Sequence, residues 1–404
     1  MKEIRDCIHG NIKVSEPEEE LLDSPQMQRL RYIKQLGFTY LVYPGANHTR
    51  FEHSLGVMHL VGRISDALGL HRETKEELRV AGLLHDIGHG PFSHTTELVL
   101  EKNFGITHED MAKKLIREGD VGDILKRTGF DPEKAVANVE GSAEYSEILN
   151  SELDADRMDY LVRDAYYTGV AYGLIDLDRL ISTLSTRQHH LVVTGGTEAA
   201  ESLLRARFLM YPTVYEHHAA RIAEAMFCRA IERAIENKVF KAEDMFRYDD
   251  IDLIAIMRKA KGYPQKMIQK IDSRDLYKRV VTFKRKDLGE DTTNKLIELR
   301  NSPKKIYRLE TEMAQSADVK HGEILLDIPA PLYASKEFEI MVKQGPEYVK
   351  ASDASVSIRT LEEAQWDYWE TMIFAPTEHH KRAEKAVKNV LGIGTTKQTT
   401  LDTI

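Results

Sequence analysis

Between Glu52 and Leu68 apolar residues return every three or four positions. Leu55, Met58, Val61, Ile64 and Leu68 share one stripe, and Gly69 ends it. That is the period of a helix with one buried face; a strand would scatter these residues over both faces. A second stripe, Leu78, Ala81 and Leu84, follows Thr74-Lys-Glu-Glu77, which reads as a capping box opening a helix that ends near Gly88-His-Gly-Pro91. A third helix is predicted from about Ser151 to Tyr167, stopping at Gly169. A long one runs from about Glu198 to Asn237, with Pro212 as a kink. The chain is therefore expected to be mainly α.

Beyond residue 240 the texture changes. Helices predicted at 242–247, 250–259 and 274–278 alternate with strand-like Arg279–Phe283, Ile324–Ile328 and Phe338–Val342. Residues 190–197 read as a short strand and turn, Glu370–Ala375 as a final strand, and Glu378–Val390 as a final helix. The expected organisation is a helical domain over residues 1–240 and a smaller α+β region over residues 241–404, with a polar tail from about residue 393.

Composition narrows the function classes. The 404 residues carry a net charge of -9, so a polycation gripping nucleic acid is not expected. No apolar run approaches the ~18 residues that span a bilayer, and the charged start, Met1 to Cys7, lacks the core of a secretory leader. With only Cys7 and Cys228 there is no disulfide framework, so a cytoplasmic protein is expected. Histidine is the anomaly. Of 16 in the chain, His9, His48, His53, His59, His71, His85, His89, His94 and His108 crowd the first 108 residues.

The densest string is Leu83-Leu-His85-Asp86-Ile-Gly-His89-Gly-Pro-Phe-Ser-His94. A buried His-Asp pair is costly unless paired or ligating. Alone it reads as a helix-terminal histidine beside a carboxylate, but here it has His89 and His94 for company. Small Gly88 and Gly90 permit close backbone approach. His53 opens the first stripe. In Leu153-Asp154-Ala-Asp156-Arg157-Met-Asp159-Tyr160-Leu-Val-Arg163-Asp164 the aspartates resemble a solvated face. Yet Asp156, Tyr160 and Asp164 share one stripe, and an aromatic between two carboxylates suits a pocket better.

In the order His53, His85-Asp86, Asp156 the chain resembles the HD phosphohydrolase superfamily. Asp6-Cys-Ile-His-Gly10, Pro25–Gly37, Pro44-Gly-Ala, Arg50–Gly56, His85–His94 and Asp154–Asp164 are similar to the branch of deoxynucleoside triphosphate triphosphohydrolases. The similarity is strong over about residues 1–235 and weaker near Ile271–Tyr277. Some of that branch carry an appended sterile alpha motif domain; this chain starts where their catalytic region starts.

The resemblance implies a helical HD core in which His53, His85, Asp86 and Asp156 bind one divalent transition metal ion, Mn, Fe, Zn, Ni or Co, with Mg accompanying the nucleotide. Imidazoles mixed with carboxylates suit such an ion. It implies hydrolysis of a dNTP to deoxynucleoside and inorganic triphosphate. His89 and His108 fall in the active site, supported by His94, Glu97 and Glu109; Glu97 stands where relatives carry aspartate. Arg50 and Arg207 are expected on the phosphates and Arg157 in the substrate site. Gln35, Leu36, Tyr160 and Asp164 are expected at the sugar, with Tyr160 crowding a 2'-hydroxyl. Arg207, Tyr211, Tyr215 and His218 are spaced as one helix face if Pro212 does not rotate it; Tyr211 stands where relatives carry histidine.

Lys2, Asp23, Gln28, Arg31, Val42, Tyr43, Arg179 and Arg274 match positions that hold a nucleotide activator, GTP or a dNTP, between subunits of a homodimer or homotetramer. Glu3 and Arg5 replace an apolar and an amide residue there, and Asp23-Ser-Pro also reads as a plain helix start. Two other readings compete: an HD phosphohydrolase acting on another nucleotide, and a nucleotide-sensing or nucleic-acid-binding protein with weak catalysis. The complete ligand set argues against a purely binding role. His48, His59 and His71 have no assigned task.

Overall fold

The computed structural model describes residues 2–288, 290–330 and 340–391. The chain starts with a hairpin, β1 (Lys2–Asp6) and β2 (Gly10–Val14), then α1 (Glu16–Leu22) and α2 (Pro25–Arg29). The stripe that begins at Leu55 becomes α3 (Arg50–Ala67), whose residues are buried almost all round. Its Val57, Leu60, Val61 and Ile64 pack with Leu78 and Ala81 of α4 (Arg72–Leu84) and with Met158 and Leu161 of α9 (Ala155–Thr168). Its Leu55 and Met58 meet Leu30, Leu83, Leu84 and Ile87 on the other side. α3 is thus the axis on which the histidine segments are assembled.

Between α4 and α9 lie α5 (His94–Phe104), α6 (His108–Arg117), α7 (Gly119–Thr128) and α8 (Pro132–Val139). After α10 (Leu177–Thr183) comes a hairpin, β3 (Leu184–Arg187) and β4 (His190–Val193). The predicted long helix is α11 (Glu198–Met210), a π-turn at Tyr211–Tyr215 and α12 (His218–Glu236), so Pro212 does interrupt it. α13 (Asp250–Lys259) and α14 (Tyr263–Asp272) pack on α12 through Leu253, Met257, Met267, Ile268 and Ile271.

The remainder comprises β5 (Lys278–Lys284), α15 (Arg285–Leu288), α16 (Glu290–Arg300), α17 (Pro303–Ser316), β6 (Leu325–Asp327), β7 (Met341–Gln344), β8 (Glu347–Lys350), α18 (Ala351–Ala354), α19 (Val356–Ala364), β9 (Glu370–Ala375) and α20 (His380–Val390). One sheet has the order β5-β9-β6; another, β3-β4-β7-β8, joins the hairpin after α10 to the C-terminal region. The architecture is mainly helical with small sheets. No helix among the described residues is long and apolar enough to cross a membrane.

Several predicted boundaries move. α4 starts at Arg72 with His71 at its cap, so Thr74 lies inside it: the turn at Gly69 (φ +67°) has already redirected the chain, and the Lys75 N–H donates to the His71 carbonyl. α9 starts at Ala155, because the Asp154 carboxylate accepts from the Arg157 N–H and caps it. The strand at 190–197 is half of a hairpin beginning at Leu184, turned by Gln188 and His189 at positive φ. Residues 274–278 form no helix. α14 has ended at Asp272, Arg274 has φ +56°, and Lys278 already pairs with Ala375. Residues 242–247 form a 3-10 helix, and α20 begins at His380. Phe338, Glu339 and the tail from residue 393 lie outside the described residues.

Candidate metal centre

Three helices deliver four side chains to one point. His53 projects from α3, His85 and Asp86 leave the end of α4, and Asp156 stands on the first turn of α9. His53 Nε2 is 2.8 Å from Asp156 Oδ1 and 3.8 Å from Asp86 Oδ2. His85 Nε2 is 3.3 Å from Asp86 Oδ1 and 3.7 Å from Asp156 Oδ1. Ligand atoms of His53, His85 and Asp86 lie within 4.8 Å of one another.

The imidazole tautomers are set from behind. His53 Nδ1 donates to Asp159 Oδ2 at 2.8 Å, and His85 Nδ1 to the Gly82 carbonyl at 2.8 Å. Each Nε2 is thereby left with a lone pair facing the centre, and both Nε2 atoms are buried without a hydrogen-bond partner. Two orphaned imidazole nitrogens and two carboxylates fit a divalent ion. The electrostatics agree. Burial alone would lower the His53 pKa, but Asp156 and Asp159 raise it to about 10. The pocket therefore demands a positive charge, which a proton or a metal ion supplies. The Asp156 side chain is 34% exposed, so the centre opens on that side.

Asp86 links this centre to a second histidine group. Its Oδ1 lies 3.3 Å from His89 Nε2 as well as from His85. Burial works against its charge, but Arg50, His85 and His89 hold its pKa well below the usual range. The His89 ring stacks on His108 at 4.0 Å. Burial and the Arg50 charge push the His89 pKa well down, leaving a neutral imidazole. Glu97 binds His108 Nδ1 through one oxygen and lies 3.3 Å from His94 Nδ1 through the other. His89, Glu97 and His108 also place ligand atoms within 4.8 Å. Gly88 makes this packing possible: a Cβ there would meet the His108 carbonyl at 2.0 Å. Gly90 has no comparably close neighbour.

Other expected residues fall differently. Arg50 is 2% exposed. It donates to Asp86 Oδ2 at 2.6 Å and Ser93 Oγ at 2.5 Å, with Nη2 3.4 Å from His94, so its first role is to brace Asp86 rather than to stand open for phosphate. Glu109 is exposed on the first turn of α6, one residue after His108 and among the charges acting on Lys113. Arg157 donates to Asp154 and the Ser151 carbonyl. Asp164 is buried, accepting from His48 Nε2 at 2.7 Å and Tyr215 Oη at 2.8 Å. The Tyr160 ring lies 6.1 Å from Tyr215, which lies 6.4 Å from Tyr211. Burial pushes the Tyr160 hydroxyl up to about 12 against the opposing charge of Arg207, its neighbour. The π-turn removes His218 from this wall; it stacks on His217 near Arg279. Gln35 and Leu36 enter beside them, Gln35 N–H donating to the His48 carbonyl and Leu36 packing on the α3–α9 core.

At the expected activator positions, Lys2 pairs with Glu19 near the exposed Asp23, and Ser24, rather than Asp23, caps α2. Arg31 donates to Gln28 Oε1 and lies over the Phe51 ring. Val42 ends a 3-10 turn, Tyr43 Oη donates to the Thr213 carbonyl, Arg274 to that of Leu41, and Arg179 to that of Gly195.

Sequence reasoning missed the network behind the ligands. Asp159 is fully buried and accepts from His53, from His9 Nε2 at 2.7 Å and twice from Arg163, which also binds Asp6. The only sequence signal was its place three residues after Asp156. His48 holds Asp164, and His59 rests against His9, its pKa lowered to about 4 by burial and the His9 charge.

The HD domain family matches residues 50–164, and the HD associated region matches residues 175–402. An uncharacterised protein of Methanocaldococcus jannaschii is 37% identical over 94% of this chain and 80% of its own length. Human deoxynucleoside triphosphate triphosphohydrolase SAMHD1 is 31% identical over 58% of this chain; the matched part spans only 45% of that protein. Among solved structures, a hypothetical protein from Aquifex aeolicus superposes with a TM-score of 0.77 at 32% identity, covering 96% of this chain and all of the other. A phosphohydrolase from Bacteroides thetaiotaomicron gives 0.74 at 25% identity, covering 93% and 100%. The chain belongs to the HD-domain phosphohydrolases and carries an HD associated region after its HD domain.

Proposed function

We propose that the protein hydrolyses deoxynucleoside triphosphates to deoxynucleoside and inorganic triphosphate. The observation that carries this reading is the double use of Asp86, whose one oxygen faces both the metal-type donors and the His89–His108–Glu97 group. A substrate phosphate seated there meets both. His53, His85, Asp86 and Asp156 would hold one ion of Mn, Fe, Zn, Ni or Co, which would lower the pKa of a bound water and polarise a phosphate. Neutral His89 can donate a hydrogen bond to a phosphate oxygen. His108, with Glu97 behind it, can hold a proton and release it to a leaving oxygen. Asp164 can accept from a 3'-hydroxyl while His48 and Tyr215 fix its plane. Tyr160 fills the space that a 2'-hydroxyl would need, and Arg207 neutralises phosphate charge. Arg50 keeps Asp86 ionised and aimed.

A GTP or dNTP activator at Lys2, Asp23, Gln28 and Arg31, a homodimer or homotetramer, and a cytoplasmic location belong to the same proposal. The test is incubation with each dNTP and NTP in Mn²⁺, with and without GTP, followed by product identification and sizing. Triphosphate release from dNTPs is the expected result. Orthophosphate or pyrophosphate would move the reading to another nucleotide reaction, and indifference to GTP in both turnover and size would remove the activator.

A further inference from the structure

The segment joining His89 to His94 holds an unfavourable backbone. Phe92 has φ +55° and Ser93 φ +46°, two successive non-glycine residues at positive φ. Such a conformation persists only where surrounding groups hold it. Two side chains from elsewhere, half-buried Arg29 and buried Asp250, do so. Arg29 of α2 donates to the carbonyls of Ile87 (3.1 Å) and His89 (2.7 Å). Asp250, the first residue of α13 and 6% exposed, accepts from the Phe92 N–H at 2.7 Å through Oδ1. Its other oxygen accepts from the Lys34 N–H at 3.0 Å. Lys34 immediately precedes Gln35 and Leu36, and its backbone pairs with Thr49, next to Arg50.

We infer that Asp250 is a positioning residue of the active site: its two oxygens set the spacing between the sugar-side segment 34–36 and the histidine segment 89–94. Its own helix does not need it, because Asp249 caps α13 by accepting from the Asp252 N–H. Arg29 grips the same segment while its Nη1 donates to the Tyr248 carbonyl close to Asp250, and the Phe92 ring is locked between Phe38 (4.6 Å) and Phe227 (4.6 Å). Residues of the HD associated region therefore complete a site whose chemistry lies in the HD domain. A carboxylate suits this place better than an amide. It offers an acceptor to both N–H groups, whereas an amide would turn its NH2 toward one of them.

This inference rests on the hydrolase reading, so the test has one arm that needs no turnover. In Asp250→Asn, deuterium uptake across residues 87–95 should rise while bound metal per chain stays at the wild-type value. With a dNTP, kcat should fall about 10- to 100-fold and KM change less than about threefold, as expected when reacting groups are misplaced by about 1 Å. Asp250→Glu keeps both acceptor oxygens and should recover part of kcat. Asp249→Ala, which removes the α13 cap alone, should lower Tm and leave kcat in place. Unchanged uptake in Asp250→Asn, unchanged kcat, or an equal kcat loss in Asp249→Ala at matched Tm would overturn the inference. If wild type turns over no dNTP, the substrate proposal fails while the exchange arm still decides the clamp.

Discussion

Replacing Asp159 by asparagine tests the idea that the metal centre is built from behind. Asp159 has no exposed surface and accepts four hydrogen bonds. His9 and Arg163 Nη2 reach Oδ1; His53 and Arg163 Nε reach Oδ2. An asparagine of the same shape keeps one acceptor and points an NH2 at the other pair of donors. If the NH2 faces His53, the ring relieves the clash by taking its proton on Nε2, which removes the lone pair aimed at the centre. Losing such a supporting carboxylate costs roughly 10- to 100-fold in metal affinity, or about 1.4–2.7 kcal/mol. The fold suffers separately. Breaking a buried ion pair costs about 3–5 kcal/mol, but Arg163 retains Asp6 at 2.9 Å, so the lower end, about 3 kcal/mol, is expected. The assay is chelator competition for Mn²⁺ at neutral pH, with denaturant unfolding of the metal-free protein alongside. Affinity within twofold of wild type would refute the argument that Asp159 sets the His53 tautomer, whatever the stability change.

Three further outcomes follow from the same contacts. Gly56→Ala places a Cβ 1.8 Å from Asp159 Oδ1 and 2.6 Å from Arg163 Nη2; with both side chains buried, a loss of roughly 1–3 kcal/mol and of bound metal should appear in melts and metal analysis. Tyr160→Ala should raise the ratio of ribonucleotide to deoxyribonucleotide turnover, and an unchanged ratio would remove Tyr160 as the steric gate. Glu224 is pushed up to about 8 by burial and by the nearby Glu216 and Asp327 carboxylates. Between the usual glutamate value of 4.5 and about 8 the folded state therefore binds more protons than the unfolded chain, so stability falls as pH rises through that window. Relative to Glu224→Gln, wild type should lose about 2 kcal/mol from pH 5 to 8, discounted from ~1.4 kcal/mol per pKa unit for its partial exposure; a flat difference would contradict the burial argument.

What could be read early was what local spacing controls. The three-four stripes located α3 and α4, and the period joining Asp156, Tyr160 and Asp164 was a true helix face. The strand expected at Glu370–Ala375, with its continuous apolar run Met372–Ala375, became the central strand of its sheet. The opening hairpin and α5–α8 went unread, because such short pieces are marginal alone and gain stability only by packing on α3, α4 and one another. Thr74 illustrates the limit: four residues can spell a capping box and still lie inside a helix whose start is set by the preceding turn.

The sequence by itself determined the donor inventory, His53, His85-Asp86 and Asp156, since residue type and order carry that chemistry directly. Only the tertiary structure decided what each donor does. Arg50 braces Asp86, Glu109 faces solvent, His9 and Asp159 orient His53, and Asp250 ties the HD associated region to the segment between His89 and His94. The physical reason is range. Helix periodicity is a property of neighbouring residues. A buried hydrogen bond is made by whichever group the packed core brings within about 3 Å, and here Asp159 lies 106 residues from His53 and Asp250 lies 158 from Phe92.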